Sequence, residues 1–183
     1  MVLKLYHVGF LEIKEPDIRF GRKNADFGQG FYLSPDLSFS RRWAREEKGK
    51  ETYLNAYELD TEGLRVKEFK RDSEWFSYIS KNRNNEPDAL IDFDVIKGPI
   101  ANDIIYDLLG VTTSGFLDDL TAIKILSMGP EYTQVVIKTD KANSALHFIS
   151  SEVLDPKEME VNRKKVEREE EEFQKAVSEI LLE

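Results

Sequence analysis

The stretch Arg22–Ser34, RKNADFGQGFYLS, sets Gly28 and Gly30 directly ahead of the aromatic pair Phe31 and Tyr32. Two uses fit this spacing. Glycines turn a chain tightly into a strand, and they also let a backbone come close to a ligand. A tyrosine face beside them would take a flat ring. His7 stands at the end of the alternating run VLKLYHV, and Gln134 lies in YTQVVIKT, the most apolar strand-like run. A histidine at a strand end either completes local hydrogen bonding or serves a ligand. A glutamine among apolar neighbours needs partners or a cleft. In DVIKGPIAND, Gly98-Pro99 ends a strand, and Asn102 and Asp103 fall in the first turn of a helix. They act there as caps, or mark a helix start whose N–H groups can meet an anion.

Some chemistries are excluded. ADFG is not a kinase signature, because no matching lysine strand and no His-Arg-Asp loop accompany it. GQG falls short of a phosphate-binding glycine loop. The chain has no cysteine and only two histidines, His7 and His147, so thiolate zinc sites and multi-histidine metal sites are not expected. A net charge of −9 argues against non-specific nucleic-acid binding, though not against a local basic groove. No apolar run reaches the roughly 18 residues of a membrane span, and the opening MVLKLYHVGF is too soon interrupted for a signal peptide. A cytoplasmic protein is expected.

The elements that must position these residues follow from period and punctuation. VLKLYHV (Val2–Val8), GFYLS (Gly30–Ser34), TYLNAYELD (Thr52–Asp60), ALIDFDVIKG (Ala89–Gly98) and YTQVVIKT read as strands. LRVKEF (Leu64–Phe69), after a Glu-Gly turn, predicts a hairpin with the strand before it. Helices are predicted from Ser34 or Asp36 to Gly49, from Asp72 or Ser73 to Arg83, over ANDIIYDLLG and LDDLTAIKILSMG, and briefly over KANSALHFI, which leads into FISSEVL. Beyond Pro156 the chain is strongly charged, with Met159, Val166, Phe173 and Ile180 every seven residues and Val177 and Leu181 beside the last two. That pattern predicts one long helix with a narrow apolar stripe, docked on its own domain or on a partner or second copy. The expectation is a mixed α+β body over residues 1–154, partly antiparallel, followed by a charged helix over 155–183.

The order LYHVG, then FGQGFYLSPDLSFSRRWA, then YTQVVIKT resembles the ADP-ribosyltransferase superfamily, in particular its diphtheria-toxin and poly-ADP-ribose-polymerase branch. That branch carries a His, Tyr, Glu triad on separate strands. RKNADFGQGFYLS, GPIAND and TQVVIKT together resemble a bacterial family of domains of unknown function within it. The likeness runs from Leu3 to Leu154. It implies a split two-sheet β-sandwich with flanking helices, a cleft between the sheets lined by the triad, and NAD as substrate without a metal.

Residue by residue, the resemblance implies that His7 hydrogen-bonds the adenosine ribose. Val8 stands where a glycine backbone pairs with the nicotinamide amide, with Gly9 one later. Tyr32 stacks on the nicotinamide, with Gly28, Gly30 and Phe31 beside it, and Gln134 replaces the catalytic Glu. Arg19 or Arg22 would meet the pyrophosphate. Bond breakage between nicotinamide and ribose is oxocarbenium-like and favours a nearby carboxylate. An amide cannot supply that charge, so Glu131 and Asp103 are candidates for it.

The implied activity is mono-ADP-ribosyl transfer to a protein or nucleic-acid acceptor, of the kind bacterial toxins or phage-defence effectors perform. An antitoxin or a second copy would meet the C-terminal helix. The competing readings are a nucleotide-binding pseudoenzyme, which Gln134 favours, and an interaction protein working through that helix.

Overall fold

The computed structural model describes residues 1–101, 125 and 131–181, the side chains of 180 and 181 excepted. Asp103, the helix read from Asn102 to Gly110 and, apart from Ile125, the helix read at 117–129 lie outside the described residues.

The architecture is α+β with two sheets. In chain order the described elements are β1 (Val2–Gly9), β2 (Phe31–Leu33), α1 (Leu37–Arg42), β3 (Tyr53–Asp60), β4 (Val66–Glu68), α2 (Ser73–Arg83), β5 (Val95–Pro99), β6 (Thr133–Ile137), α3 (Asp140–Ser144), β7 (Leu146–Val153) and α4 (Pro156–Leu181). One sheet has the order β1-β3-β7, the other β2-β6-β5-β4. Antiparallel pairing dominates, with β4 and β5 the parallel exception. Tyr6 and Ser34 exchange backbone hydrogen bonds of 2.8 and 2.9 Å and tie the two sheets together.

Side chains alternate along each strand, and each face has its own use. Leu5, Tyr57 and Leu59 from the three-stranded sheet meet Phe31, Leu33, Val135 and Ile137 from the four-stranded sheet, forming the sandwich interior. On the outer face of the four-stranded sheet, Ile96 and Val136 pack under Phe27, Phe69 and the α2 residues Trp75, Tyr78 and Ile79. On the outer face of the other, Leu54 packs with Leu154 and Met159.

Three expectations change. Residues 66–68 do not form a hairpin with β3. Both edges of β3 are already taken, by β1 and β7, so β4 joins the other sheet beside β5. A parallel pair needs a crossover, which α2 supplies. The helix after Ser34 stops at Arg42 rather than Gly49. Asp36 caps it by accepting from the Phe39 N–H at 2.9 Å, but residues 45–51 contain no apolar side chain to hold further turns on the body. The fifth strand is confined to Val95–Pro99, because Asp88 and Leu90 accept the Leu90 and Phe93 N–H groups and turn the chain before it.

The long helix α4 is present, opening on Pro156 where a missing N–H costs nothing. Its stripe packs on the chain's own body. Met159 and Val177 are buried, and Phe173 reaches the cluster over α2. Arg41 pairs with Glu152 and Glu158, and Arg42 with Glu169.

Candidate functional site

The turn before β2 is fixed from several sides. The Tyr32 hydroxyl donates to the Gly28 carbonyl at 2.7 Å and accepts the Phe27 N–H at 3.0 Å. Lys138 Nζ donates to the Phe27 carbonyl at 2.6 Å, and Asn82 donates to the Asp26 carbonyl at 3.0 Å. Gly28 takes φ +74°, where a Cβ would also fall 2.7 Å from the Asp88 carboxylate. At Gly30 a Cβ would lie 2.6 Å from the Ile137 carbonyl oxygen. Both glycines therefore have a requirement inside the fold, apart from any ligand.

This turn delivers the Asp26 carboxylate to the first residues of β6. Gln134 is buried, and its Nε2 lies 3.3 Å from Asp26 Oδ2 and 3.4 Å from the Pro99 carbonyl oxygen. Arg83, at the end of α2, donates through Nε to Asp26 Oδ1 at 2.5 Å, and its Nη2 meets the same oxygen. The Asp26 and Arg83 side chains are each 11% exposed. Four parts of the chain thus converge: the turn, the end of α2, the end of β5 and the start of β6. A buried carboxylate tolerates desolvation only when paired and hydrogen-bonded, which Arg83 and Gln134 accomplish.

Beneath it lies a second buried pair, Lys138 with Asp88, whose other oxygen accepts from the Tyr78 hydroxyl at 2.8 Å. Burial pushes the Asp88 carboxyl up, but the bonds from Lys138, the Leu90 N–H and Tyr78 outweigh it and hold it below the usual carboxylate range. Burial likewise drives the Tyr32 and Tyr78 phenols far above their ordinary value, so both stay protonated donors.

His7 occupies the other side of β2. Its ring lies 4.6 Å from that of Phe31, and its Nδ1–H donates to the Tyr32 carbonyl at 2.8 Å. A carbonyl only accepts, so Nδ1 carries the proton and Nε2 the lone pair. Burial lowers the His7 pKa, with the carbonyl bond opposing. A Cβ on Gly9 would stand 3.2 Å from Nε2, so Gly9 leaves the ring its room.

The expected triad is therefore divided. Tyr32 and Gln134 share the α2-side face of the four-stranded sheet, since Tyr32 pairs with Val136 and Gln134 is two residues away. His7 faces the sandwich interior with Phe31, and the three do not line one cleft between the sheets. The cause is the two-residue period of the strands: adjacent Phe31 and Tyr32 must point oppositely. The Val8 side chain turns toward Leu54 and Met159. Arg19 is paired with Asp140 at 2.6 Å. Arg22 is exposed and close enough for its charge to act on the Tyr32 phenol. Glu131 is exposed and acts on Arg71. Sequence reasoning missed Asp26, Asn82 and Arg83. Two signals were available: an acidic residue in a glycine-rich turn, and an Asn-Arg pair closing an amphipathic helix.

Among the described residues no group of side chains is gathered that could hold a metal ion, and no helix is long and apolar enough to cross a membrane. The chain belongs to the family described as Protein of unknown function (DUF3990), which it matches over residues 3–148. No curated protein and no solved structure matches it.

Proposed function

We propose, with membership of that family as the premise, that the domain has the ADP-ribosyltransferase type of fold and handles NAD at the Tyr32–Gln134 face. There it cleaves the nicotinamide–ribose bond and transfers ADP-ribose to a macromolecular acceptor. One observation carries the reading: the Asp26 carboxylate lies 3.3 Å from the Gln134 amide on the face that holds Tyr32. Gln134 cannot stabilise an oxocarbenium-like ribose by charge, but a carboxylate held beside it can. Gln134 would orient the ribose hydroxyls, and Tyr32 would present its ring to the nicotinamide. His7 would act through the main chain, fixing the Tyr32 carbonyl and with it the direction of β2. The role of a bacterial toxin or phage-defence effector belongs to the same proposal.

A second reading, nucleotide binding without transfer, is favoured by the pairing of Asp26 with Arg83, which offsets the charge that the chemistry needs.

The test is incubation with labelled NAD and a cell lysate, following both transferred label and free nicotinamide. Transfer by the wild type, lost in Tyr32→Ala and Gln134→Ala and strongly reduced in Asp26→Asn, is the expected result. NAD bound without nicotinamide release identifies the second reading. A wild-type protein that binds no NAD overturns both.

A further inference from the structure

Phe20 is 93% exposed, more than any other large apolar side chain among the described residues. Its loop is nevertheless anchored. Ile18 is buried in the sandwich interior, and Pro16 is buried with its carbonyl accepting from Asn143 at 2.9 Å. Asp17 accepts the Arg19 N–H through its side chain at 2.9 Å and the Phe20 N–H through its carbonyl at 3.2 Å. Gln29 then donates to the carbonyls on both sides of Phe20, those of Arg19 at 2.6 Å and Gly21 at 3.0 Å. Gly21 is pressed against the Gly30 backbone so closely that a Cβ would collide with the Gly30 carbonyl. The ring is thus held outward by a fixed turn and is not displayed by slack chain.

Two cations follow it in the chain. The protein carries −9 overall, yet Arg22 and Lys23 are exposed beside Phe20 and form no ion pair among the described residues. Arg22 also lies within electrostatic reach of the Tyr32 phenol, which puts the loop next to the candidate site. An aromatic ring with two unpaired cations two and three residues on spans about 10 Å of chain at most.

We propose that this loop binds single-stranded nucleic acid, with a base stacked on Phe20 and the adjoining phosphates met by Arg22 and Lys23. A base needs only a flat aromatic face and cations for its backbone. A protein partner would need an apolar surround about the ring, whereas the residues flanking Phe20 are charged or lack a side chain. The acidic body repels a long polyanion, which suits the element to a short exposed stretch of strand and not to a duplex. The proposal goes beyond NAD handling and does not depend on it.

The experiment uses the full chain without NAD and a fluorescently labelled oligothymidylate followed by anisotropy at low salt. Phe20→Ala should weaken binding by about ten-fold, the size of one lost base stack. Arg22→Gln with Lys23→Gln should weaken it and flatten the logarithmic salt dependence by about 1.4, roughly 0.7 per lost phosphate contact on a single strand. Phe20→Trp should keep affinity, and its indole emission should be quenched on binding. Because Phe20 is solvent-exposed these variants should keep the wild-type circular dichroism. Absence of binding at low salt, or Phe20→Ala binding as the wild type does, overturns the proposal. Phe20-dependent capture of a protein in place of the oligonucleotide also overturns it.

Discussion

His7 donates its Nδ1–H to the carbonyl oxygen of Tyr32 across 2.8 Å, so residues from two sheets are coupled through main chain and not through their rings. The imidazole packs inward on Phe31 while the phenol points to the opposite face of β2. This bond fixes the histidine tautomer and joins the sheets beside the Tyr6–Ser34 bridge.

The coupling makes stability pH-dependent. Burial lowers the folded-state pKa of His7 from its ordinary value of 6.5. Below that value the unfolded chain binds a proton that the folded chain refuses. The His7 contribution is therefore complete above 6.5 and is lost as pH falls through the folded-state pKa. Urea unfolding measured across this window should show stability declining toward acid, and His7→Asn should reduce that slope.

Asp88 predicts a second, more acidic limb. Its folded-state pKa is held below the ordinary carboxylate value of 3.8, so its stabilisation is present above that value and disappears as pH falls through the lowered one. Asp88→Asn should remove this limb. At neutral pH it leaves the buried Lys138 ammonium without its partner, at a cost of about 3–5 kcal/mol by denaturant unfolding.

Tyr32→Phe separates the ring from its hydroxyl. The ring keeps its place over the sheet, but the Phe27 N–H and the Gly28 carbonyl lose their partner. The expected loss is about 1–3 kcal/mol. A ring that serves only as a stacking face should retain NAD binding, measured by calorimetry on the folded variant.

Gly30→Ala should destabilise by about 3 kcal/mol or more, because the new methyl group meets the Ile137 carbonyl oxygen and the Val136 side chain at 2.6 Å. Failure of the variant to lose thermal stability would mean that β2 and β6 are not packed this closely.

The C-terminal helix should behave as part of the body. Met159→Ala should cost about 2–5 kcal/mol, as it empties a buried position among Leu54 and Leu154. Val161→Ala, half-exposed on the other face, should stay within about 0.5 kcal/mol. Equal effects in chemical denaturation would overturn the docked arrangement.

Periodicity made β1 and α4 legible, because a strand or helix with one buried face writes that face into its own residues. The strand β6, buried on both faces, showed as a continuous apolar run, and α2 showed through its capping residue. The same is true of the tight approaches at Gly28 and Gly30 and of the Asp36 and Asp72 caps. The partner of Val66–Glu68 was not legible. It depends on which strands have already taken the edges of β3, and no local pattern records that.

The candidate site divides along the same line. The sequence by itself determined that Tyr32 enters a strand behind two glycines and that Gln134 is a polar residue in an apolar strand. Only the tertiary structure decided that Asp26 meets Gln134 while Asn82 and Arg83 hold Asp26, and that His7 lies on the other side of β2. Contacts between residues 50 to 110 positions apart are set by sheet order and register, which arise from packing two sheets and a crossover helix together. A carboxylate, an amide and a guanidinium then satisfy one another because burial takes most of their surface away from solvent.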